Sequence, residues 1–223
     1  MDLRTIALFA PVLLFAMVAH EYAHGYAALK QGDPTAYELG RLTWNPAKHI
    51  DPFMTVILPV MLAVMNAPIF GGAKPIPVDP RNYRNYRRGD IIVSLAGIAT
   101  NLAIAAVSVP LVMLLGVLGQ RFPGALPTFA VLQEMAQISV MLNLMLALFN
   151  LLPLPPLDGS HVMKHLLPPA WALRYQELGR FGFLLLLPLL YLGVISIWMT
   201  PAYRLTRAAA RFTAPYMLPP AGL

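Results

Sequence analysis

The sequence predicts an all-α integral membrane protein, and the prediction depends on composition and on one long uncharged run. Of the 223 residues, 58% are hydrophobic and only 12% are charged, and the mean hydropathy is +0.63. A soluble domain carries about 25% charged residues. Residues 91–118 contain no charged side chain and exceed the roughly 20 residues that a spanning helix needs. A soluble helical domain with an unusually apolar core does not account for that run.

Five apolar segments predict a polytopic helical bundle. They are residues 5–29, 52–70, 91–118, 128–152 and 181–200. The connections are too short for a separate folded domain, so we interpret residues 1–223 as a single membrane-embedded domain. We expect about four full spans plus a re-entrant or half-membrane segment at 52–70. Residues 201–223 are expected to form an amphipathic tail that lies along the membrane surface.

The first segment holds an ionisable cluster in otherwise apolar surroundings. His20, Glu21 and His24 form the pattern His-Glu-x-x-His. On a helix the two histidines stand one turn apart on one face, so both imidazoles can point at one metal ion while Glu21 handles protons. Ionisable groups within a bilayer are costly and therefore indicate function. The pattern is typical of zinc hydrolases, in which a metal-bound water is the nucleophile, and we expect one Zn²⁺ per chain.

Two short β-strands are predicted near the membrane interface, after the first two apolar segments. Residues 35–44 alternate loosely and are rich in Tyr, Thr, Leu and Trp, and residues 73–78 are predicted to be extended because of their prolines. Such edges can pair with an unfolded substrate peptide, although simple surface loops explain the same residues equally well.

The loop at 79–88 is strongly basic. The positive-inside rule therefore places it in the cytoplasm. Beside a membrane, these side chains favour contact with lipid headgroups, so the net charge of +6 does not indicate a nucleic-acid partner.

A third metal ligand is needed, because catalytic zinc typically has three protein ligands and a water. Cysteine is absent, so only histidine and carboxylate side chains qualify. The candidates considered are His49, His161, His165, Glu134 and Asp158. Asp158 is favoured because three prolines break the helix within 150–159, and broken backbone at membrane depth occurs only where protein buries it or a watery cavity lines it.

Two separated motifs resemble those of the site-2 proteases, zinc metalloproteases that cut within membranes. They are His20-Glu21-x-x-His24 and Asn150-x-x-Pro153-x-x-x-Leu157-Asp158-Gly159. Residues 40–46, 49–52, 70–75 and 96–101 extend the resemblance to the compact bacterial branch of that family, with Ile98 where a proline is expected.

The resemblance implies a role for each residue of the two motifs. It implies that His20, His24 and Asp158 bind zinc and that Glu21 activates the attacking water. It also implies that Asn150 donates a hydrogen bond to the developing oxyanion or holds the substrate, and capping of freed helix carbonyls is an equally good account of this residue.

The implied activity is that of a zinc-dependent endopeptidase that cleaves membrane proteins in or near their transmembrane segments. Two other functions fit the same side chains: a non-catalytic membrane metal transporter or metal-binding protein, and an inactive relative that binds membrane proteins. The sequence identifies neither the substrate nor the oligomeric state.

The positions of the ligands constrain the topology. His20 and His24 lie late in the first segment and Asp158 follows the fourth, so full crossing by both intervening segments would place them on opposite faces. We therefore expect residues 52–70 not to cross. The loops at 30–51, 71–90 and 154–180, and with them the active site, then face the cytoplasm of the cell (inner) membrane. The arginines of the tail would lie outside, against the positive-inside tendency.

Overall fold

Helices and irregular connections make up the described part of the chain, residues 3–64 and 71–219 of a computed structural model. The α-helices are α1 (Leu3–Gln31), α2 (Thr35–Glu38), α3 (Leu58–Val64), α4 (Tyr86–Arg121), α5 (Leu126–Asn150), α6 (Asp158–Lys164), α7 (Pro169–Glu177), α8 (Gly182–Tyr191), α9 (Val194–Trp198) and α10 (Thr200–Thr213). Within this part, α1, α4 and α5 are long and apolar enough to cross a membrane. The prediction of an all-α membrane protein is confirmed.

The three long helices pack against one another. A single 3₁₀ turn (Pro123–Ala125) joins α4 to α5, so the two run antiparallel, and α1 packs on both. The side chain of Asn85 accepts a hydrogen bond from the Arg88 N–H and so caps the start of α4. Helix α5 ends at Asn150, because the prolines that follow cannot continue a helix. Mostly small and aliphatic side chains fill the interior.

The apolar segment at 52–70 begins as a π-helix (Pro52–Ile57) and continues as α3. The N–H of Gly72 donates to the Met54 carbonyl over 3.1 Å, and the Thr55 hydroxyl donates to the Gly72 carbonyl over 2.7 Å. The chain therefore returns at Gly72 to the point where the segment began. Residues 65–70 lie outside the described residues.

Neither predicted β-strand is present among the described residues. The prediction of a strand at 35–44 is wrong, because Thr35–Glu38 forms a helical turn. The Asp33 carboxylate accepts hydrogen bonds from the N–H and the hydroxyl of Thr35 and so stabilises the turn locally. The segment at 73–78 forms no β-ladder there either, since its backbone groups bond elsewhere: Lys74 N–H donates to the His49 carbonyl over 2.8 Å.

The fifth apolar segment, 181–200, is interrupted and does not form a single helix, and the count of about four full spans stays a prediction. Gly193 has φ +74°, a left-handed conformation that separates α8 from α9. Beyond it α10 packs against α5 and buries Ala202 and Thr213. The surface-lying tail at 201–223 stays a prediction, and residues 220–223 lie outside the described residues.

Candidate metal centre

Three potential metal ligands from distant parts of the sequence meet at one point. His20 and His24 lie one turn apart on α1, with their Nε2 atoms 2.9 Å apart. Asp158, the first residue of α6, brings its Oδ2 to 3.1 Å from His20 Nε2 and 3.3 Å from His24 Nε2. All three ligand atoms lie within 4.8 Å of one another, and both imidazoles are buried. The predicted metal ligands therefore form one cluster.

The chemistry of this cluster fits a bound cation. Asp158 Oδ2 is buried and accepts no hydrogen bond from the described residues, which is costly for a carboxylate oxygen. Two imidazole nitrogens face the same small volume, so the three groups would repel one another without a positive charge between them. Two imidazoles and a carboxylate form one of the ligand sets of catalytic zinc, which keeps a further position for water. The residues thus fit zinc.

Hydrogen bonds on the far side of each imidazole hold the two rings. His24 Nδ1 lies 2.7 Å from the backbone carbonyl of Val93 on α4. Since a carbonyl only accepts, His24 carries its proton on Nδ1 and its Nε2 lone pair faces the cluster. His20 Nδ1 lies 2.5 Å from Asn101 Oδ1, also on α4. Both rings are therefore oriented by α4, although both belong to α1.

Gly97 allows α4 to pass directly beside the two imidazoles. A Cβ atom at this position would lie 2.5 Å from His24 Nε2 and 2.6 Å from His20 Cε1. Any side chain would therefore displace the rings or the helix. The backbone of Gly97 has an ordinary helical conformation that any residue can adopt. Glycine is required here only because the two helices approach so closely.

The segment that carries Asp158 is anchored twice. At its start, Gly159 lies against the backbone carbonyls of Leu151 and Leu152, where a Cβ atom would clash. At the end of α6, Lys164 Nζ and His165 Nε2 each lie 2.7 Å from Asp90 Oδ2 at the start of α4. These contacts fix α6 against α4 and so hold Asp158 beside the imidazoles.

Glu21 follows His20 on α1 and is half-buried. Its Oε2 accepts a hydrogen bond of 2.7 Å from the backbone N–H of Ile76. One turn later, Gly25 is in close contact with Ile76 and Leu42, so the segment around residue 76 covers this face of α1. The carboxylate of the residue that follows His20 is therefore held by the segment around residue 76.

Asn150 ends α5, and its Nδ2 donates to the Leu146 carbonyl over 2.9 Å. This is a bond back to a carbonyl inside the helix, four residues earlier, so it does not cap the carbonyls that the following prolines free. The amide retains a second N–H, so the bond to Leu146 leaves one donor for other partners. The part of Asn150 in catalysis stays a prediction.

The other candidate ligands lie elsewhere. His49 is buried with its Nε2 2.8 Å from the Thr43 carbonyl. His161 and His165 both face Asp90, with His161 Nδ1 at 3.4 Å. Glu134 pairs with Arg4 over 2.5 Å, which joins the beginning of α1 to α5. Within the described residues, none of these four belongs to a cluster that could hold a metal.

Sequence reasoning missed the residues that support the ligands. Gly97 and Asn101 fall in the motif at 96–101, and Gly97 is small enough to permit close helix packing, but no sequence pattern assigns them or Asn143 to the support of the ligands. The available signal was polarity, because Asn101 and Asn143 are amides within long apolar segments and both are fully buried. Their partners lie on other helices, which spacing along one helix cannot reveal.

Comparison with known proteins gives one family. The model of peptidase family M50 matches residues 8–189, about four fifths of the chain. YwhC of Bacillus subtilis, named as an inferred zinc metalloprotease, is 39% identical over 188 residues, which cover 83% of this chain and 82% of YwhC. Rip2 of Mycolicibacterium smegmatis, named in the same way, is 30% identical over 185 residues, which cover 83% of this chain and 67% of Rip2. No solved structure matches the chain.

Proposed function

Because this chain belongs to peptidase family M50 and is a zinc metalloprotease, we propose that it hydrolyses peptide bonds in or near the transmembrane segments of membrane proteins. The observation that carries the proposal is the position of the ligand cluster. His20 and His24 lie within a helix long and apolar enough to span a membrane, and Asp158 reaches them from the broken segment after another such helix. A peptide bond cleaved at this cluster must reach it at or near membrane depth.

We assign His20, His24 and Asp158 as the ligands of one zinc ion. When bound, zinc supplies a Lewis acid that polarises a peptide carbonyl and lowers the pKa of a water. Glu21 then acts as the base: its carboxylate takes a proton from the attacking water and delivers it to the amine nitrogen of the leaving peptide. The bond from Ile76 N–H supports this role, because it restrains the carboxylate of the residue that follows His20.

Asn150 is proposed to donate its remaining N–H to the carbonyl oxygen of the scissile bond as negative charge develops there. Its bond to Leu146 supports a fixed orientation, since the amide group is restrained at the end of α5. The segment 73–78 is proposed to lie beside the substrate backbone, which must unwind from its helical form before its carbonyl can be attacked.

We infer that the cluster opens to the cytoplasm. The contact between Gly72 and Met54 supports a segment at 52–70 that enters and leaves the membrane on one side. With that segment not crossing, the end of α1, the start of α4 and the end of α5 share one side. The basic loop at 79–88 lies on the same side, which is the cytoplasmic one by the positive-inside rule.

The Glu21→Gln variant tests the assignment. It removes the base while leaving all three ligands, so we expect proteolysis to be abolished while zinc remains bound at one equivalent per chain. A suitable measurement is a comparison of membrane proteomes from cells with the wild-type protein and the variant, in which a full-length substrate should accumulate. The matched control is Glu38→Gln, which makes the same change at an exposed glutamate of α2 and should leave cleavage unaffected.

Continued cleavage by purified Glu21→Gln would contradict the mechanism. Cleavage by neither protein, together with zinc uptake into vesicles that contain the wild-type chain, would favour a metal transporter instead.

A further inference from the structure

A chain of hydrogen-bonded polar side chains leads away from His20 through the interior of the three long helices. Asn101 Oδ1 lies 2.5 Å from His20 Nδ1, and Asn101 Nδ2 donates to Asn143 Oδ1 on α5 over 2.8 Å. Asn143 Nδ2 in turn donates to the Ser139 carbonyl over 2.9 Å. Both asparagines are fully buried. Two buried amides between apolar helices are costly unless their polar atoms are hydrogen-bonded, and a fully bonded network fixes the orientation of its members.

The far end of this chain fixes the direction of every hydrogen bond in it. A backbone carbonyl only accepts, so Asn143 must present Nδ2 to Ser139. Asn143 therefore presents Oδ1 to Asn101, and Asn101 must donate to it from Nδ2. Asn101 is then left with Oδ1 facing His20, and this oxygen accepts only from a protonated Nδ1.

A second carbonyl imposes the same direction. The Ser108 hydroxyl donates to the Ile104 carbonyl over 2.8 Å, so its oxygen accepts from the Ser139 hydroxyl, 2.9 Å away. With its proton committed to Ser108, the Ser139 oxygen accepts from Asn143 Nδ2 over 3.2 Å. Two independent anchors thus prevent Asn143 from turning its oxygen towards Ser139.

We propose that Asn143 and Asn101 form a positioning relay that keeps His20 in the Nδ1-protonated tautomer, with its Nε2 lone pair directed at the metal cluster. The inference rests on the proposed role of His20 as a ligand. Asn101 touches His20 and acts directly on its tautomer. Asn143 lies on a different helix and acts only through Asn101, so both are positioning residues rather than catalytic ones.

The alternative tautomer would be inactive for a simple reason. If Asn101 turned its amide, Nδ2 would face His20 Nδ1, and the imidazole proton would move to Nε2. An N–H would then point at the metal position, and His20 would not ligate. Loss of hydrogen-bond support to a metal-binding histidine typically lowers metal affinity by about 10–100-fold.

Two substitutions of Asn143 separate direction from simple packing. Asn143→Leu keeps the approximate size but frees Asn101 to turn. Asn143→Asp keeps an oxygen that accepts from Asn101 whether the new carboxyl is neutral or charged, so the direction survives. The matched control is Gln133→Leu, which removes another buried amide of α5 that bonds to the Val112 and Tyr216 carbonyls instead of to the relay.

The experiment measures two quantities on the full chain purified in detergent. Zinc affinity is obtained by competition with a chromophoric chelator. The tautomer of His20 in the zinc-free protein is obtained from long-range ¹H–¹⁵N correlation spectra of protein labelled at histidine, with the signal assigned by its loss in His20→Gln. A purely structural role would not change the tautomer.

We expect Asn143→Leu to bind zinc at least about 10-fold more weakly than the wild type and to show a mixture of His20 tautomers. Asn143→Asp and Gln133→Leu should retain the Nδ1–H tautomer and zinc affinity within about 3-fold. If the leucine variant does not fold, Asn143→Ala removes the same amide and is expected to give the same result. A protonated Nε2 in Asn143→Asp, or unchanged affinity and tautomer in Asn143→Leu, overturns the relay. A wild-type protein whose His20 signal does not respond to zinc would instead overturn the proposed function.

Discussion

The Gly97→Ala substitution is the sharpest perturbation that the helix packing offers, because it adds one methyl group at the centre of the ligand cluster. The added carbon would lie 2.5 Å from His24 Nε2, and 2.6 Å and 2.7 Å from His20 Cε1 and Nδ1. Ordinary contacts between such atoms are about 3.5–4.0 Å. The imidazoles and α4 must therefore separate by about 1 Å, whereas zinc–ligand distances tolerate only about 0.2 Å.

We expect Gly97→Ala to lower zinc affinity by about 100-fold, at the upper limit of what altered ligand support costs. Protease activity at limiting zinc should fall in parallel. The helix itself is not weakened, because alanine is favoured over glycine within helices by about 1 kcal/mol. Chelator competition on purified protein measures the affinity, and circular dichroism checks the helix content.

Gly124→Ala is the matched control for this prediction. No atom lies within 4 Å of the added carbon at that position, so zinc affinity should be unchanged. If Gly97→Ala bound zinc within about 3-fold of the wild type, the close approach of α4 to His20 and His24 would be refuted as a determinant of the site.

Two further predictions concern the regions around the site. Asp90→Ala leaves Lys164 buried without its carboxylate partner, so we expect the free energy of unfolding to fall by about 3–5 kcal/mol in a denaturant titration in detergent. The double variant Asp90→Leu/Lys164→Met removes both charges and should recover most of this loss. Equal stability of the single and double variants would contradict the pairing. Burial acts to raise the pKa of Asp33, but hydrogen bonds from Asn82, Thr35 and the backbone outweigh it, so the pKa lies below its ordinary value of 3.8. The pKa of Asp33 is lower in the folded protein than in the unfolded chain, so its stabilising effect is present above about pH 4 and is lost as the pH falls through the folded pKa. The melting temperature of Asp33→Asn should therefore fall less in acid than that of the wild type.

The ligand cluster was predictable from sequence because its residues carry strong local signals. His20 and His24 are spaced by one helical turn in an apolar segment, and Asp158 lies in a proline-rich break that has no reason to occur at membrane depth. Each signal is visible without knowledge of any contact. The structure added the distances.

The supporting residues could not be predicted because their function depends on neighbouring helices. Asn143 matters only through Asn101 on α4, and Gly97 matters only because α1 passes at that height. Sequence periodicity describes one helix at a time and contains no information about such pairs.

The failed secondary-structure predictions have a local cause. Tyr and Thr at 35–44 favoured a strand, but hydrogen bonds from Thr35 to Asp33 started a helical turn that propensity alone does not foresee. The segment at 181–200 was apolar enough for a span, yet Gly193 adopts a left-handed conformation and interrupts it. Hydropathy measures composition and is insensitive to a single residue of this kind.

Zinc K-edge X-ray absorption on the purified chain tests the central claim most directly. We predict one zinc per chain, with two imidazole nitrogens at about 2.0–2.1 Å and the remaining ligands oxygen, in a four-coordinate site. Asp158→Asn should weaken binding and alter the oxygen shell, while the same substitution at Asp79, which is not a member of the cluster, should leave the spectrum unchanged. A third imidazole, a shell made only of oxygen, or a spectrum that does not respond to Asp158→Asn would contradict the assignment of His20, His24 and Asp158 as the zinc ligands.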